Sequence, residues 1–313
     1  MKEYVAAVDL GGTKIALGLF DEACTLVAEQ VIETRARQGP QQALDRTAEG
    51  LRALAESAGV LWHQVKAVGI CSPGPLNLKE GHIVYIASVG WRNVPVCEIL
   101  GRALNLPVAF ENDANAAALA ERVYGAGAAL AEDAIMAYIT VSTGVGCGLI
   151  VGNRICHGRH DSAGELGHLC VDADGPICMC GNRGCLELYS SGTAVARRYS
   201  ELTNQHVDSR FVAEAAQNGD DAALACFNEM GEKLGLGLAA LIQLLDPHLI
   251  VFGGGAANAW DLFYHNMIKL ASQHTYRIFE QESIITRAAL GAKAGLIGAA
   301  ELARRAAKMV KTA

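Results

Sequence analysis

The stretch from Gly164 to Glu187, GELGHLCVDADGPICMCGNRGCLE, constrains this chain more than any other. It places His168, Cys178, Cys180 and Cys185 in one short segment, an imidazole and three thiols of the kind that close a tetrahedral Cys3His zinc site. Gly181 and Gly184 stand among the cysteines, where a tight turn can bring the sulfurs around one ion. The spacing is shorter than that of common zinc fingers, so on spacing alone three buried thiols remain the alternative. The flanks favour the metal. Glu165 lies just before His168 and Glu187 just after Cys185, so a metal-pinned loop would gather two carboxylates and an imidazole. That set suits a polyhydroxylated ligand, because each carboxylate oxygen accepts a hydrogen bond from a hydroxyl.

Length and composition limit the setting. A chain of 313 residues has room for about two domains and a sizeable core. With 51% hydrophobic and 19% charged residues it is globular rather than disordered. A net charge of -7 gives no electrostatic footprint for nucleic acid. Met1 to Leu10 runs straight into a strand pattern with no signal peptide, and the long apolar run from Leu234 to Leu245 is too short to span a bilayer. A cytoplasmic protein is expected, with no nucleic acid and no membrane among its partners. Its ten cysteines are then thiols and metal ligands rather than disulfides. Cys24, Cys71, Cys97, Cys147, Cys156, Cys170 and Cys226 lack partner spacing and read as small buried hydrophobes.

Three glycine turns follow strand-like runs. Tyr4 to Asp9 leads into LGGTK, Leu10 to Lys14, and then into apolar Ile15 to Phe20, a hairpin pattern. Gly11 and Gly12 allow a close backbone approach to an anion, Thr13 offers a hydroxyl and Lys14 a charge; a plain Gly-Gly turn is the alternative. Ala134 to Val141, the turn from Ser142 to Gly146, and Cys147 to Val151 repeat the pattern, which suggests an internal duplication with two phosphate-gripping hairpins across a cleft. Gly253, Gly254 and Gly255 follow a third run, Leu249 to Phe252. Three such turns point to a nucleotide.

Between these turns, Gln42 to Ala58 reads as a helix and Val65 to Cys71 as a strand that ends in the rigid Ser72-Pro73-Gly74-Pro75 loop. Ala87 to Pro95 contains Trp91 and Asn93, which either line a pocket or pack. The strand Val108 to Phe110 precedes Glu111-Asn112-Asp113, where an alanine-rich helix opens. Asn112 and Asp113 can cap that helix, and Asp113 can also aim a carboxylate at a substrate hydroxyl. Further on, Glu229 to Leu245 reads as a long amphipathic helix, and Leu290 to Ala307 as a terminal helix that packs back on the N-terminal part.

With these motifs in order, the sequence resembles the ROK family of bacterial repressors, open reading frames and sugar kinases. The resemblance rests on DLGGTK at Asp9 to Lys14, END at Glu111 to Asp113, TVSTGVGCG at Thr140 to Gly148, and GELGH with CxCGxxGCLE at Gly164 to Glu187. It implies an α/β, actin-like and hexokinase-like duplicated ATPase fold, with two lobes around a cleft. We assign residues 1–112 plus about 298–313 to a small lobe, and 113–297, with the 164–187 loop, to a large one. It further implies ATP-dependent phosphorylation of a hexose at the 6-hydroxyl, with Mg2+ and a structural Zn2+, in a homodimer.

Carried over, Asp113 resembles the catalytic base, and Gly74, Asn112, Asp113, Glu165, His168 and Glu187 the sugar-binding residues. His168, Cys178, Cys180 and Cys185 resemble the zinc ligands. Asp9, Gly11, Gly12, Thr13 and Lys14 resemble the first phosphate segment, Thr143 and Gly144 the second, and Gly254 and Gly255 the adenosine side. Glucose is the expected sugar, because GCLELYSSGTA and SPGPLN look like the glucokinase branch. N-acetylmannosamine, N-acetylglucosamine and other hexoses are the alternatives, separated by pocket shape near Ser72 to Leu76 and Val89 to Asn93. A DNA-binding regulator would need a helix-turn-helix before the first glycine motif, which already starts at Asp9. A sugar sensor would be expected to lack Asp113 or a phosphate turn.

Overall fold

The computed structural model describes residues 2–86, 89–276 and 285–312. The chain divides into two compact units, Met1–Ala120 with Arg159–Asp161 and Lys293–Ala313, and Glu121–Gly158 with Ser162–Ala292.

The first unit contains β1 (Tyr4–Leu10), β2 (Lys14–Asp21), β3 (Leu26–Glu33), α1 (Pro40–Ser57), β4 (Val65–Ser72), β5 (Leu76–Asn77), β6 (His82–Ile86), β7 (Trp91–Val94), α2 (Val96–Leu104), β8 (Val108–Asn112) and most of α3 (Asp113–Tyr124). The second unit contains β9 (Ile135–Val141), β10 (Val145–Val151), β11 (Arg154–Ile155), α4 (Glu187–Ser190), α5 (Gly192–Thr203), α6 (Ser209–Gln217), α7 (Asp221–Leu245), β12 (Leu249–Gly253), α8 (Trp260–Gln273) and β13 (Ile285–Arg287). The last helix, α9 (Ala294–Thr312), returns to the first unit.

Each unit is built on a five-stranded sheet, in the order β3-β2-β1-β4-β8 and β11-β10-β9-β12-β13. In both, the first strand of the unit pairs antiparallel with the second and parallel with the fourth element of the sheet order. The duplication suggested by the two glycine hairpins therefore extends to both sheets.

β1 explains how the first unit is layered. Val5, Ala6, Ala7 and Val8 are all buried, as expected of a strand covered on both faces. Ala6, Val8 and Leu10 pack with Leu44 and Leu51 of α1, while Val5 and Ala7 pack with Leu296, Ala299 and Ala303 of α9. The two-residue alternation of the strand thus decides which helix each side chain meets. α9 lies so close to the sheet that a Cβ at Gly69 would stand 1.8 Å from the Ala299 carbonyl oxygen. In the second unit, α7 and α8 close on each other through Phe227, Met230, Leu234, Phe263 and Met267 in one cluster with Ile139, Ile250 and Phe252.

Several segments differ from the sequence expectation. α7 starts at Asp221 rather than Glu229, because the Asp220 carboxylate accepts the Ala223 amide at 2.8 Å and the buried stripe already runs through Ala223, Cys226 and Phe227. Beyond the Pro73–Pro75 loop lie elements that the sequence reading left unassigned, the three-stranded β5-β6-β7 sheet and then α2. Trp91 on β7 packs rather than lining a pocket: it is buried and its Nε1 donates to the Ala36 carbonyl at 3.1 Å. The expected stretch begins on Ala87 and Ser88, which lie outside the described residues. Of the seven cysteines expected to be buried, Cys71, Cys147 and Cys226 are, whereas Cys24, Cys97 and Cys156 are half-buried and Cys170 is exposed. Cys170 sits on an isolated bridge opposite Cys185, outside the layered core. Among the described residues, no helix is long and apolar enough to cross a membrane.

Candidate active site

In the first unit, the turn between β1 and β2 is closed by the Gly11 amide, which donates to the Lys14 carbonyl at 3.0 Å. The capacity of the turn tip to meet an anion therefore falls to Gly12 and Thr13, with Lys14 exposed beside them. Asp9 lies at the end of β1. Burial, the nearby charge of Asp113 and a weaker opposing hydrogen bond from Cys71 together raise its pKa to about 6. A Cβ at Gly295, at the start of α9, would lie 2.9 Å from Asp9 Oδ2, so only a glycine leaves room there for the carboxylate.

Asp113 is the first residue of α3 and half-buried. Asn112 does the capping: its Oδ1 accepts the amides of Ala114 at 2.9 Å and Asn115 at 3.3 Å. The Asp113 Oδ1 accepts the Ala114 amide at 2.8 Å. Hydrogen-bonded to an amide at a helix start, an ionised carboxylate is favoured by the dipole. Gly74 stands against Asn112, since a Cβ there would be 3.7 Å from Asn112 Nδ2. Glu111, buried just before this pair, accepts the Asn112 amide at 2.9 Å and the Asn115 side-chain amide at 3.0 Å. Sequence reasoning did not single out Glu111 as the brace of the helix start; the i, i+4 spacing to Asn115 was its only local signal.

In the second unit, the turn between β9 and β10 holds Thr143 and Gly144. The Ser142 amide donates to the Gly144 carbonyl at 2.9 Å, and the Gly192 amide to the Ser142 carbonyl at 2.7 Å. Glu187, the first residue of α4, accepts the Val145 amide at 3.0 Å, and a Cβ at Gly144 would stand 2.4 Å from the same carboxylate oxygen. Gly254, at φ 86°, follows β12 and lies so near β9 that a Cβ would meet the Val141 carbonyl at 2.3 Å; Gly255 opens the next short turn. Glu187 is thus hydrogen-bonded to the first residue after the Thr143–Gly144 turn and lies against Gly144, while Gly254 sits against the end of β9.

The 164–187 loop brings His168, Cys178, Cys180 and Cys185 together, their ligand atoms all within 4.8 Å of one another. His168 Nδ1 lies 3.8 Å from Cys178 Sγ, and Cys180 Sγ 3.6 Å from Cys185 Sγ. A zinc ion with Zn–S bonds of ~2.3 Å in a tetrahedron needs sulfurs ~3.8 Å apart, so this donor set fits zinc in both chemistry and spacing. Glu165 lies on the other side of the imidazole, its Oε2 3.9 Å from His168 Nε2, in the place a supporting carboxylate takes behind a metal-bound histidine. Burial pushes the Cys185 thiol up to about 12, while the Asn182 backbone amide draws Cys180 below the ordinary thiol range. The loop is tight: Gly184, at φ 65°, would place a Cβ 1.6 Å from the Asp172 carbonyl oxygen. Asp172 in turn accepts from Tyr189 Oη and Lys233 Nζ, both at 3.0 Å, which ties the loop to α7.

Residues 5–306 match the family model of the ROK family. The glucokinase of Streptomyces coelicolor is 33% identical over 95% of this chain and 96% of its own. The ROK hexokinase of Thermus thermophilus is 37% identical, with a TM-score of 0.85 over 98% of this chain and 100% of its own. A ROK family glucokinase from Streptomyces griseus, solved with glucose and AMPPNP, is 32% identical with a TM-score of 0.80 over 96% of this chain and 99% of its own. The fold is accordingly the duplicated, actin-like one that the sequence resemblance implied.

Proposed function

The chain belongs to the ROK family and is a hexose kinase, and we propose that it transfers a phosphoryl group from ATP to the 6-hydroxyl of glucose, with Asp113 as the general base. The observation that carries this reading is the position of Asp113 as the first residue of α3, in the same unit as the Gly11–Lys14 turn and near enough to Asp9 to raise its pKa. The proposed base thus lies near a carboxylate suited to a hard cation, in the unit that carries the proposed phosphate turn.

Phosphoryl transfer asks mainly for positioning and for neutralising charge on the phosphoryl oxygens. Gly12, Thr13 and Lys14 on one turn, and Thr143 and Gly144 on the other, take the phosphates, while Gly254 and Gly255 flank the nucleoside. Asp9 is the residue to hold Mg2+, which supplies charge neutralisation. Asp113 accepts the proton from the hydroxyl and directs its oxygen to the phosphorus. Asn112, Gly74, Glu165, His168 and Glu187 fix the sugar by hydrogen bonds. His168, Cys178, Cys180 and Cys185 are the residues to hold Zn2+, whose role is to keep the loop in shape. The enzyme acts on small molecules in the cytoplasm as a homodimer, without nucleic acid or membrane partners.

Asp113→Asn is expected to lower turnover by ~10² or more at nearly unchanged glucose affinity, the usual contribution of a positioned base. Near wild-type turnover in that variant would end the assignment.

A further inference from the structure

The strap between β3 and α1, residues 34–39, carries concentrated positive charge and is fastened to the first glycine turn. Thr34 makes the connection: it is fully buried, its amide donates to the Thr13 carbonyl at 2.9 Å and its hydroxyl to the Gly11 carbonyl at 2.6 Å. Behind the strap, the Arg46 guanidinium donates to the Thr34 carbonyl and, at 2.9 Å, to Gln38 Oε1. Trp91 Nε1 donates to the Ala36 carbonyl at 3.1 Å. The strap is therefore tethered at Thr34, Ala36 and Gln38, while Arg35 and Arg37 stay exposed.

A hollow of about 580 Å³ opens in front of it, lined by Gly12, Arg35, Ala36, Arg37, Gln38 and Val89. Arg35, Arg37 and the tip of the glycine turn thus line one space. Glu33 pairs with Arg35 at 3.0 Å, but among the described residues no acidic group pairs with Arg37. Arg35 is held at φ 48° and ψ 47°, a left-handed conformation that costs a non-glycine residue energy and that clusters at ligand sites. α1 starts beside it with no side-chain cap and no acidic residue in its first turn. This positive region, in which Glu33 pairs with Arg35 alone, stands out in a chain of net charge -7.

We propose that the hollow is a phosphate subsite, in which Arg35 and Arg37 hold a phosphate dianion beside Gly12. Guanidinium forks match phosphate oxygens in pairs, and the strap fixes the backbone that carries both arginines. The dianion is either free orthophosphate or the ester phosphate of a sugar phosphate; the second identification rests on the kinase reading above, the binding of the anion does not. A subsite of this kind retains the phosphorylated product after transfer and makes product release sensitive to the strap.

The test is a 31P NMR titration of the full chain, without nucleotide, using orthophosphate in one arm and glucose 6-phosphate in the other. Wild type is compared with the Arg35→Ala/Arg37→Ala double variant and with Arg37→Lys, and thermal melting checks that each variant is folded. The double variant is expected to weaken binding by about tenfold or more, with part of the loss recovered in Arg37→Lys, and to change the affinity for magnesium ATP, measured by calorimetry, by less than about threefold. Weakening in both arms identifies the oxyanion itself as the ligand, and weakening in the ester arm alone identifies the sugar phosphate. Wild type that binds neither probe, a folded double variant that binds both as wild type does, or an equal loss of magnesium ATP affinity overturns the proposal. Because the titration needs no turnover, a chain that phosphorylated no sugar would leave its outcome standing.

Discussion

Glu187 accepts the amide of Val145 at 3.0 Å, so a carboxylate from the cysteine loop fixes the turn that carries Thr143 and Gly144. One residue at the start of α4 thereby joins the proposed sugar loop to the second proposed phosphate turn.

Glu187→Ala should for that reason raise KM for both substrates. It removes a proposed sugar acceptor and leaves the Val145 amide without its partner, at a cost of about 1–3 kcal/mol where that amide is buried. Steady-state kinetics with each substrate varied in turn should show at least tenfold increases in both constants. A change confined to the sugar would mean that the Val145 bond is not needed to hold the turn.

Cys180→Ala should lose the metal. Elemental analysis of the wild type is expected to give about one zinc per chain, and the variant close to none. Calorimetry should then show weaker glucose binding, because the proposed sugar residues Glu165, His168 and Glu187 lie on the stretch that the four proposed ligands would close. Metal-free wild type with full glucose affinity would contradict a role for the ion in shaping the loop.

Gly69→Ala tests the contact between α9 and the sheet. Its Cβ would meet the Ala299 carbonyl oxygen at 1.8 Å, and backbone rather than a flexible side chain would have to move. Overpacking of that kind costs about 1–3 kcal/mol or more, which chemical denaturation would report as a lower midpoint at unchanged slope.

Asp9 gives the ligand-free protein a defined pH dependence. Its folded-state pKa is raised from 3.8 to about 6, so the carboxyl is protonated at low pH at no cost and must ionise in a half-buried site as the pH rises. Its contribution to stability is therefore fully present below about pH 4 and is lost as the pH passes through about 6, by at most about 3 kcal/mol. Denaturation of wild type and Asp9→Asn across pH 4 to 7 should show stability falling in the wild type relative to the variant. A constant difference between the two would contradict the raised pKa.

The parts of the fold that were legible in the sequence are those fixed by local pattern. The apolar run of Tyr4–Leu10 and the glycines after it reveal a hairpin because alternation and turn chemistry act over a few residues. The start of α7 was obscured because Asp221 to Asn228 mixes polar residues with Ala223, Cys226 and Phe227, and the Asp220 cap lies well before the clear apolar stripe. The β5–β7 sheet was hidden by the proline- and glycine-rich stretch that precedes it. Within the site, the cysteine cluster could be read because its four residues and their flanking carboxylates share one short stretch, but the bonds of Glu187 to Val145 and of Thr34 to Gly11 and Thr13 join residues far apart in the chain. Such contacts exist only after the sheets have formed, and no local pattern encodes them.

ATP-dependent ADP release over a panel of hexoses and N-acetylhexosamines, run in parallel on wild type and Asp113→Asn, tests whether glucose is the sugar and Asp113 the base. Turnover is expected to be highest with glucose and ~10²-fold or more lower in the variant, at similar glucose affinity. Turnover with an N-acetylhexosamine in place of glucose, or a variant as active as wild type, would contradict that reading.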